Sequence, residues 1–358
     1  MYDAAVIGAG LAGLRTAQLL AQRGAKVLLI DRKDSLAAPV HTTGIFVRKT
    51  WEDFPLPGEQ LGPPIRDVFL YSPALRRLHL TAERDEFRIG RMQWIYASML
   101  DGCARAGVRW MPSTRFVAFH GKRLEVIRNG RWGLHEARFI VGADGARSAV
   151  AQQLGLDCNS EFLVGLEDIV DAPRGTPALH CFLDPRLAPG YIGWIASDGE
   201  TAHIGDAGYR DRFDPASALG AFRRRVRHIA DGRAIERRGG LIPVGGVLRR
   251  IANEHGLLVG DAAGAVSPLT AGGLDGAMRL SELAASCILN HDLRGYDGAQ
   301  FQTRFVVRRW MRTAMKLTPS FAIEAAFAML APLARHIFFN RGSFPDVAME
   351  DSQLCSIP

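Results

Sequence analysis

Apolar positions fall in short runs closed by glycine or a carboxylate, and the first 31 residues show this most clearly. Ala4 to Ile7 are continuously apolar, as in a strand buried on both faces. Gly8-Ala9-Gly10-Leu11-Ala12-Gly13 follows. Leu14, Ala17, Leu19 and Leu20 then recur at helical spacing up to Gly24. Lys26-Val27-Leu28-Leu29-Ile30 predicts a second buried strand, which ends on Asp31. Strand, glycine turn, helix, strand and terminal carboxylate together predict a dinucleotide-binding unit. Gly8 permits the turn, Gly10 lets backbone N–H groups approach a pyrophosphate, and Gly13 allows close helix–strand contact. The helix N-terminus favours the phosphate charge. Asp31 stands where a carboxylate accepts both hydroxyls of an adenosine ribose, and Arg32 beside it joins the candidate set. This unit alone leaves NAD and FAD open.

Further along, Pro39 to Pro64 shows little periodicity, and His41-Thr42-Thr43-Gly44-Ile45 is either a loop over the ligand edge or a plain connection. Val68–Tyr71 and Leu78–Leu80 predict a hairpin, and Arg91 precedes a helix from Gln93 to Ala106. Arg115 to Val126 predicts paired strands around His120-Gly121-Lys122, with Leu134 to Ala137 a further short strand. Ala137 to Gly142 is an apolar strand running into Ala143-Asp144-Gly145, with a helix beginning near Ser148. Asp144 either caps backbone N–H groups or meets a cofactor. Residues 161 to 250 break into short strand-like pieces at 178–183, 190–196 and 201–205, the pattern of an antiparallel sheet that covers a substrate. Phe213 to Ala230 is helical, and its Arg223, Arg224, Arg225 and Arg227 suit a solvated face. Gly256 to Gly264 is another buried strand ending in Gly260-Asp261, and Leu274 to Leu289 is a helix with small residues for close approach. Asp261 suits the hydroxyls of a linear sugar alcohol, and the Gly272 and Gly273 N–H groups suit negative charge on a nearby ring.

Composition narrows the classes. With 44 Lys plus Arg against 37 Asp plus Glu the net charge is +7, and no zinc-finger spacing or aromatic–basic stripe points to nucleic acid. Five scattered cysteines without a Cys-x-x-Cys pair suit a reducing compartment and give neither a disulfide framework nor a metal site. The glycine turn at residue 8 leaves no room for a secretory signal peptide, and no apolar run is long enough to span a membrane. In the last 70 residues Arg304, Arg308, Arg312 and Lys316 repeat at four-residue spacing. Phe321 to Leu333 is apolar, and Arg335-His336-Ile337-Phe338-Phe339 follows. A basic helix beside an apolar one suits the surface of an anionic membrane or a greasy substrate entrance, or else packing on the substrate domain with its arginines in water.

Three strand-end signals, at 8–13, 142–145 and 260–264, suit FAD extended across a domain better than a nicotinamide cofactor. With them the chain resembles the aromatic-hydroxylase superfamily of FAD-dependent enzymes over residues 1 to 290, and within it the geranylgeranyl-reductase-like branch. Gly8, Gly10, Gly13 and Asp31 match the ADP-binding motif, Asp144-Gly145 the Asp-Gly motif, and Gly260-Asp261 the flavin-ribityl motif. Arg91 matches the arginine that opens a helix near the flavin. Pro189 to Ile195, with Tyr191 and Trp194, resembles the reductases' substrate-sheet motif, and Gly240-Leu241-Ile242-Pro243 is also reductase-like. Ala196-Ser197 replaces the expected Phe-Pro, Ala271 an expected Gly, and Leu280-Ser281 a Ser-Gly.

The resemblance implies an α/β fold: a Rossmann-like FAD-binding domain (1–60, 91–160 and 240–290) interleaved with an antiparallel-sheet substrate domain (61–90 and 161–239), plus C-terminal helices (291–350). It implies tightly but non-covalently bound FAD, with His41 the one nearby nucleophile to test. It further implies reduction of carbon–carbon double bonds in an apolar, isoprenoid substrate, with monooxygenation and a non-catalytic flavoprotein as alternatives. Tyr191 and Trp194 are the candidate substrate-pocket residues. No second glycine fingerprint appears, so electrons come from transiently bound NAD(P)H or a reduced electron-transfer protein. The location expected is cytoplasmic, with peripheral contact on the inner face of a membrane.

Overall fold

The computed structural model describes residues 1–36, 40–171 and 176–330; Arg335 to Phe339 and Cys355 lie outside the described residues. Strand Tyr2–Ile7 sits inside a sheet ordered Ala252–Asn253, Gly256–Leu258, Arg131–Gly142, Tyr2–Ile7, Val27–Ile30, Arg109–Met111. From Gly256–Leu258 to Arg109–Met111 every pairing is parallel, so the central strands are covered on both faces. Ala4, Ala5, Val6, Leu28, Leu29 and Ile30 are fully buried there, each larger side chain contributing about 1.5–3 kcal/mol. Helix Leu11–Gln22 packs against Leu274–Leu289, where Gly276, Ala277 and Ser281 are buried and Ser281 Oγ donates to the Ala12 carbonyl.

The predicted short strand at Leu134–Ala137 is the interior of one long strand, Arg131–Gly142. Its first half pairs antiparallel with Arg123–Arg128 and is exposed or half-buried; its second half joins the parallel sheet and is buried except at Arg138. Two burial periods on one strand look like two elements in sequence. The 39–64 stretch also holds more than a connection. Ile45–Val47 pairs with Phe87–Ile89, and Arg48–Asp53 is helical.

Among the described residues a second, seven-stranded sheet runs Ala234–Pro243, Phe162–Asp171, Thr201–Tyr209, Gly193–Ser197, Ala178–Phe182, Asp67–Tyr71, Arg77–Thr81. It is antiparallel except where Ala178–Phe182 lies beside Asp67–Tyr71. Gly190–Ile192, predicted as strand, forms a turn before Gly193–Ser197. Strands Phe162–Asp171 and Ala234–Pro243 escaped the apolar pattern because they carry Glu167, Asp168, Glu236, Arg237 and Arg238. Asp168 is fully buried between Arg237 (Nε–Oδ1 2.7 Å) and Arg223 (Nη1–Oδ2 2.8 Å). Burial alone would raise its pKa, but the two guanidiniums hold it below the ordinary carboxylate value. The arginine cluster of helix Pro215–Val226 is therefore not simply a solvated face, since Arg225 also donates to the Pro73 carbonyl.

Asp206 has no such partner. It is fully buried on the sheet face that Ala202 and Ile204 present to Phe222, and neither carboxylate oxygen has a hydrogen-bond partner. Burial pushes its pKa up to about 8. A folded-state pKa raised above the unfolded value stabilises at low pH, and that contribution is lost as pH rises through about 8. Asp206→Asn is expected to match the wild type in thermal unfolding near pH 4 and to exceed it by several kcal/mol above pH 8. A constant difference across that range would contradict the assignment.

Candidate active site

A cavity of about 870 Å³ runs from the first glycine turn, past the 260–274 segment, to the C-terminal helices. At one end Gly8 sits at φ +104°, and a Cβ there would lie 2.3 Å from the Ala143 carbonyl oxygen, so two strand ends meet over backbone alone. Gly10 opens onto the cavity, with no atom within 4 Å of a Cβ built on it. Helix Leu11–Gln22 has no side-chain cap and no acid in its first turn, which leaves its N–H groups for a phosphate. Asp31 lines the cavity and accepts hydrogen bonds from Ala9 N–H (2.7 Å) and Lys33 N–H (2.8 Å), which fix its orientation.

Asp261 lines the same cavity beside Gly272 and Gly273. Among the described residues no donor meets its carboxylate, and burial pushes its pKa up to about 6. A half-buried carboxylate without donors, facing a cavity, fits the hydroxyls of a ribityl chain. The glycine cradle, Asp31 and Asp261 together fit FAD. Helix Leu274–Leu289 likewise lacks a side-chain cap at Gly273. Ala271, where the resemblance expects glycine, holds φ +52°, a conformation uncommon for a residue with a Cβ.

Five predicted residues do not line the cavity: Gly8 and Gly13, which shape the turn behind it, and three residues with charged side chains. Asp144 caps helix Ala149–Gln153, accepting from Ser148 Oγ (2.6 Å) and Ala149 N–H (2.7 Å), which is the capping alternative. Its neighbour Gly145 does reach the cavity. Arg91 precedes helix Met92–Arg105 as predicted, but its guanidinium lies on the surface 3.5 Å from exposed Glu200. Arg32 is also outside the lining. His41 lines the cavity, with Nδ1 2.9 Å from the Gly239 carbonyl.

The opposite wall belongs to the seven-stranded sheet. Tyr191 and Trp194 both face the cavity, edge to face, with ring centroids 6.4 Å apart. Tyr191 Oη donates to the Thr270 carbonyl (2.6 Å), and the Arg312 guanidinium covers its ring. Arg312 is buried and donates to the carbonyls of Pro268 (2.6 Å), Gly190 and Leu269, so it joins the Tyr191 turn to the segment beside Asp261. Lys316 caps the Tyr209 ring at 4.2 Å. Two members of the predicted basic stripe thus face protein rather than solvent.

Sequence reading also missed Glu167. Only 3% exposed, it lines the cavity and accepts from Thr43 Oγ1 (2.6 Å) and Trp194 Nε1 (3.3 Å). A charged pair, Glu167-Asp168, inside a run of alternating apolar residues was the signal available.

The fold and this cavity define an FAD-dependent oxidoreductase, and residues 3–88 match the family model described as FAD dependent oxidoreductase. The chain is similar to proteins named digeranylgeranylglycerophospholipid reductase. It is 27% identical to the digeranylgeranylglycerophospholipid reductase of Methanothrix thermoacetophila over 337 residues, covering 88% of this chain and 84% of that protein. The corresponding reductase of Methanocaldococcus jannaschii is 26% identical, covering 87% and 82%. In fold it resembles a geranylgeranyl bacteriochlorophyll reductase-like protein from Thermoplasma acidophilum, with TM-score 0.80, 19% identity, and 92% and 91% of the two chains covered.

Proposed function

We propose that the protein reduces carbon–carbon double bonds of an apolar, isoprenoid lipid, using FAD. The observation that carries this is the continuity of the cavity. From the glycine cradle it runs into a branch walled by Leu70, Leu78, Phe87, Leu179, Met315 and Phe327. Bound FAD, once reduced, supplies the hydride. The chain's own residues do the rest. Gly10, Asp31 and Asp261 hold the cofactor, while Tyr191 and Trp194 form the wall that places the alkene. The apolar branch excludes water around it. With its hydroxyl engaged by Thr270, Tyr191 acts as wall rather than proton donor. The reductase names of the relatives support reduction over oxygenation; the fold supports both.

The electron donor in this reading is NAD(P)H bound transiently, or a reduced electron-transfer protein. Among the described residues no helix is long and apolar enough to cross a membrane. Helices Gln302–Leu317 and Ser320–Leu330 nevertheless expose Trp310 (73%), Leu317 (71%), Phe321 (79%) and Met329 (77%), while Met315 and Phe327 of the same helices line the cavity. That arrangement suits peripheral contact with a lipid surface from which the substrate enters. The test is optical. Reduced holoenzyme mixed anaerobically with a polyprenyl alkene should regain its oxidised flavin absorbance. If only oxygen restores it, the reductase reading fails.

A further inference from the structure

We propose that Glu167 is the acid that delivers the proton to the alkene, and that His203 behind it resupplies that proton. This rests on the reductase reading above. Addition of hydrogen across a double bond needs a hydride at one carbon and a proton at the other. The apolar branch offers little water to supply the second. Titratable side chains lining the cavity are few, and most are committed elsewhere. Asp31 orients the ribose end, Asp261 faces the cofactor segment, and Tyr191 Oη donates to a carbonyl. Burial, with Asp261 nearby, pushes the Tyr96 phenol pKa further up, away from acid duty.

Glu167 stands on the substrate sheet, where strands Phe162–Asp171, Thr201–Tyr209 and Ala234–Pro243 bring it opposite Gly205 and Arg238. Thr43 and Trp194 occupy its Oε2. Its Oε1 is buried without a hydrogen bond, and His203 Nδ1, equally buried and without one, lies 3.5 Å away. A carboxylate and an imidazole that close, with neither facing atom engaged elsewhere, are placed to exchange a proton. The charged and titratable groups around the pair are Arg238, itself bonded to Glu236, and beyond Arg238 the Tyr96 phenol; Asp206 points to the other face of the sheet. Burial raises the Glu167 pKa, but His203, Thr43 and Arg238 outweigh it and hold the carboxyl below its usual value. A proton carried on His203 Nδ1, 3.5 Å away, then passes to Glu167 Oε1.

The step balances. Bound reduced FAD would supply the hydride and with it the two electrons, which form a C–H bond at one alkene carbon. The π pair takes the Glu167 proton at the other carbon, and Glu167 is left as carboxylate. His203 returns a proton to it and is reprotonated from solvent between turnovers.

Glu167→Gln keeps the size of the side chain and an oxygen acceptor for Thr43, so the holoenzyme should retain its flavin content and spectrum. Its anaerobic single-turnover rate with a polyprenyl alkene should fall by about 10²-fold or more, the usual share of a general acid. A wild-type rate would overturn the proposal, as would an equal loss falling on His41→Gln instead. Infrared difference spectra of the holoenzyme give an independent readout. The protonated-carboxyl band missing in Glu167→Gln should persist to higher pH in His203→Gln, because the group holding that carboxyl down is gone. An unmoved band would overturn the pairing. If the wild type itself reduces no alkene, the reductase reading has failed rather than the choice of acid.

Discussion

Gly13→Ala is expected to yield protein that purifies without flavin and unfolds early. A Cβ at Gly13 would lie 1.9 Å from the Gly8 carbonyl oxygen and 3.1 Å from the Ala143 Cβ. The first of these is backbone, so no side chain can swing aside; the helix must lift from the strand ends. Overpacking of this kind costs about 3 kcal/mol or more, and it also displaces the N–H groups that face the phosphate. Gly10→Ala is the informative contrast. Its Cβ meets no protein atom within 4 Å but projects where the cofactor must lie. The apoprotein should melt like the wild type while FAD binding weakens. Thermal melts of both apoproteins, with flavin content by absorbance, check the pair. An early melt for Gly10→Ala, or full flavin occupancy in Gly13→Ala, would contradict this account of the cradle.

Asp261→Ala is expected to lower FAD affinity by roughly 10–100-fold, the value of hydrogen bonds to a charged acceptor. The loss should exceed that of Asp31→Ala, whose carboxylate is already shared with two backbone N–H groups. The effect on the apoprotein has the opposite sign. Burial raises the Asp261 pKa to about 6, above its unfolded value, so its stabilising contribution is present at low pH and lost as pH rises through about 6. Apo Asp261→Ala should therefore be more stable than the apo wild type at neutral pH, with the advantage vanishing in acid. Fluorescence titration with FAD and calorimetry of the apoproteins separate the two effects. Equal FAD losses for Asp31→Ala and Asp261→Ala would remove the special role given to Asp261.

What the sequence made legible follows from where the physics is local. Strands Tyr2–Ile7 and Val27–Ile30 are buried on both faces, so their residues are apolar without interruption, and helix Leu274–Leu289 keeps its small-residue face; all three were read within a residue or two of their ends. Strands Phe162–Asp171 and Ala234–Pro243 were missed because their charges are neutralised by residues distant in the chain, as Asp168 is by Arg223 and Arg237. The same holds for the site. Glycines and terminal carboxylates announce themselves in a motif, but Glu167 acquires meaning only when Thr43, Trp194 and His203 converge on it from other segments. Arg312 is the converse case. A four-residue basic spacing suggested an exposed stripe, yet packing turned this arginine inward to three backbone carbonyls.

The central claim is that the cavity reduces an isoprenoid double bond with FAD, and product mass after one anaerobic turnover tests it most directly. Chemically reduced holoenzyme is mixed with a polyprenyl lipid without oxygen, and the lipid is extracted and weighed by mass spectrometry. The account predicts a product that has gained hydrogen across a double bond and no oxygen. An unchanged lipid under these conditions, joined by a product carrying one added oxygen atom once air is admitted, would contradict it.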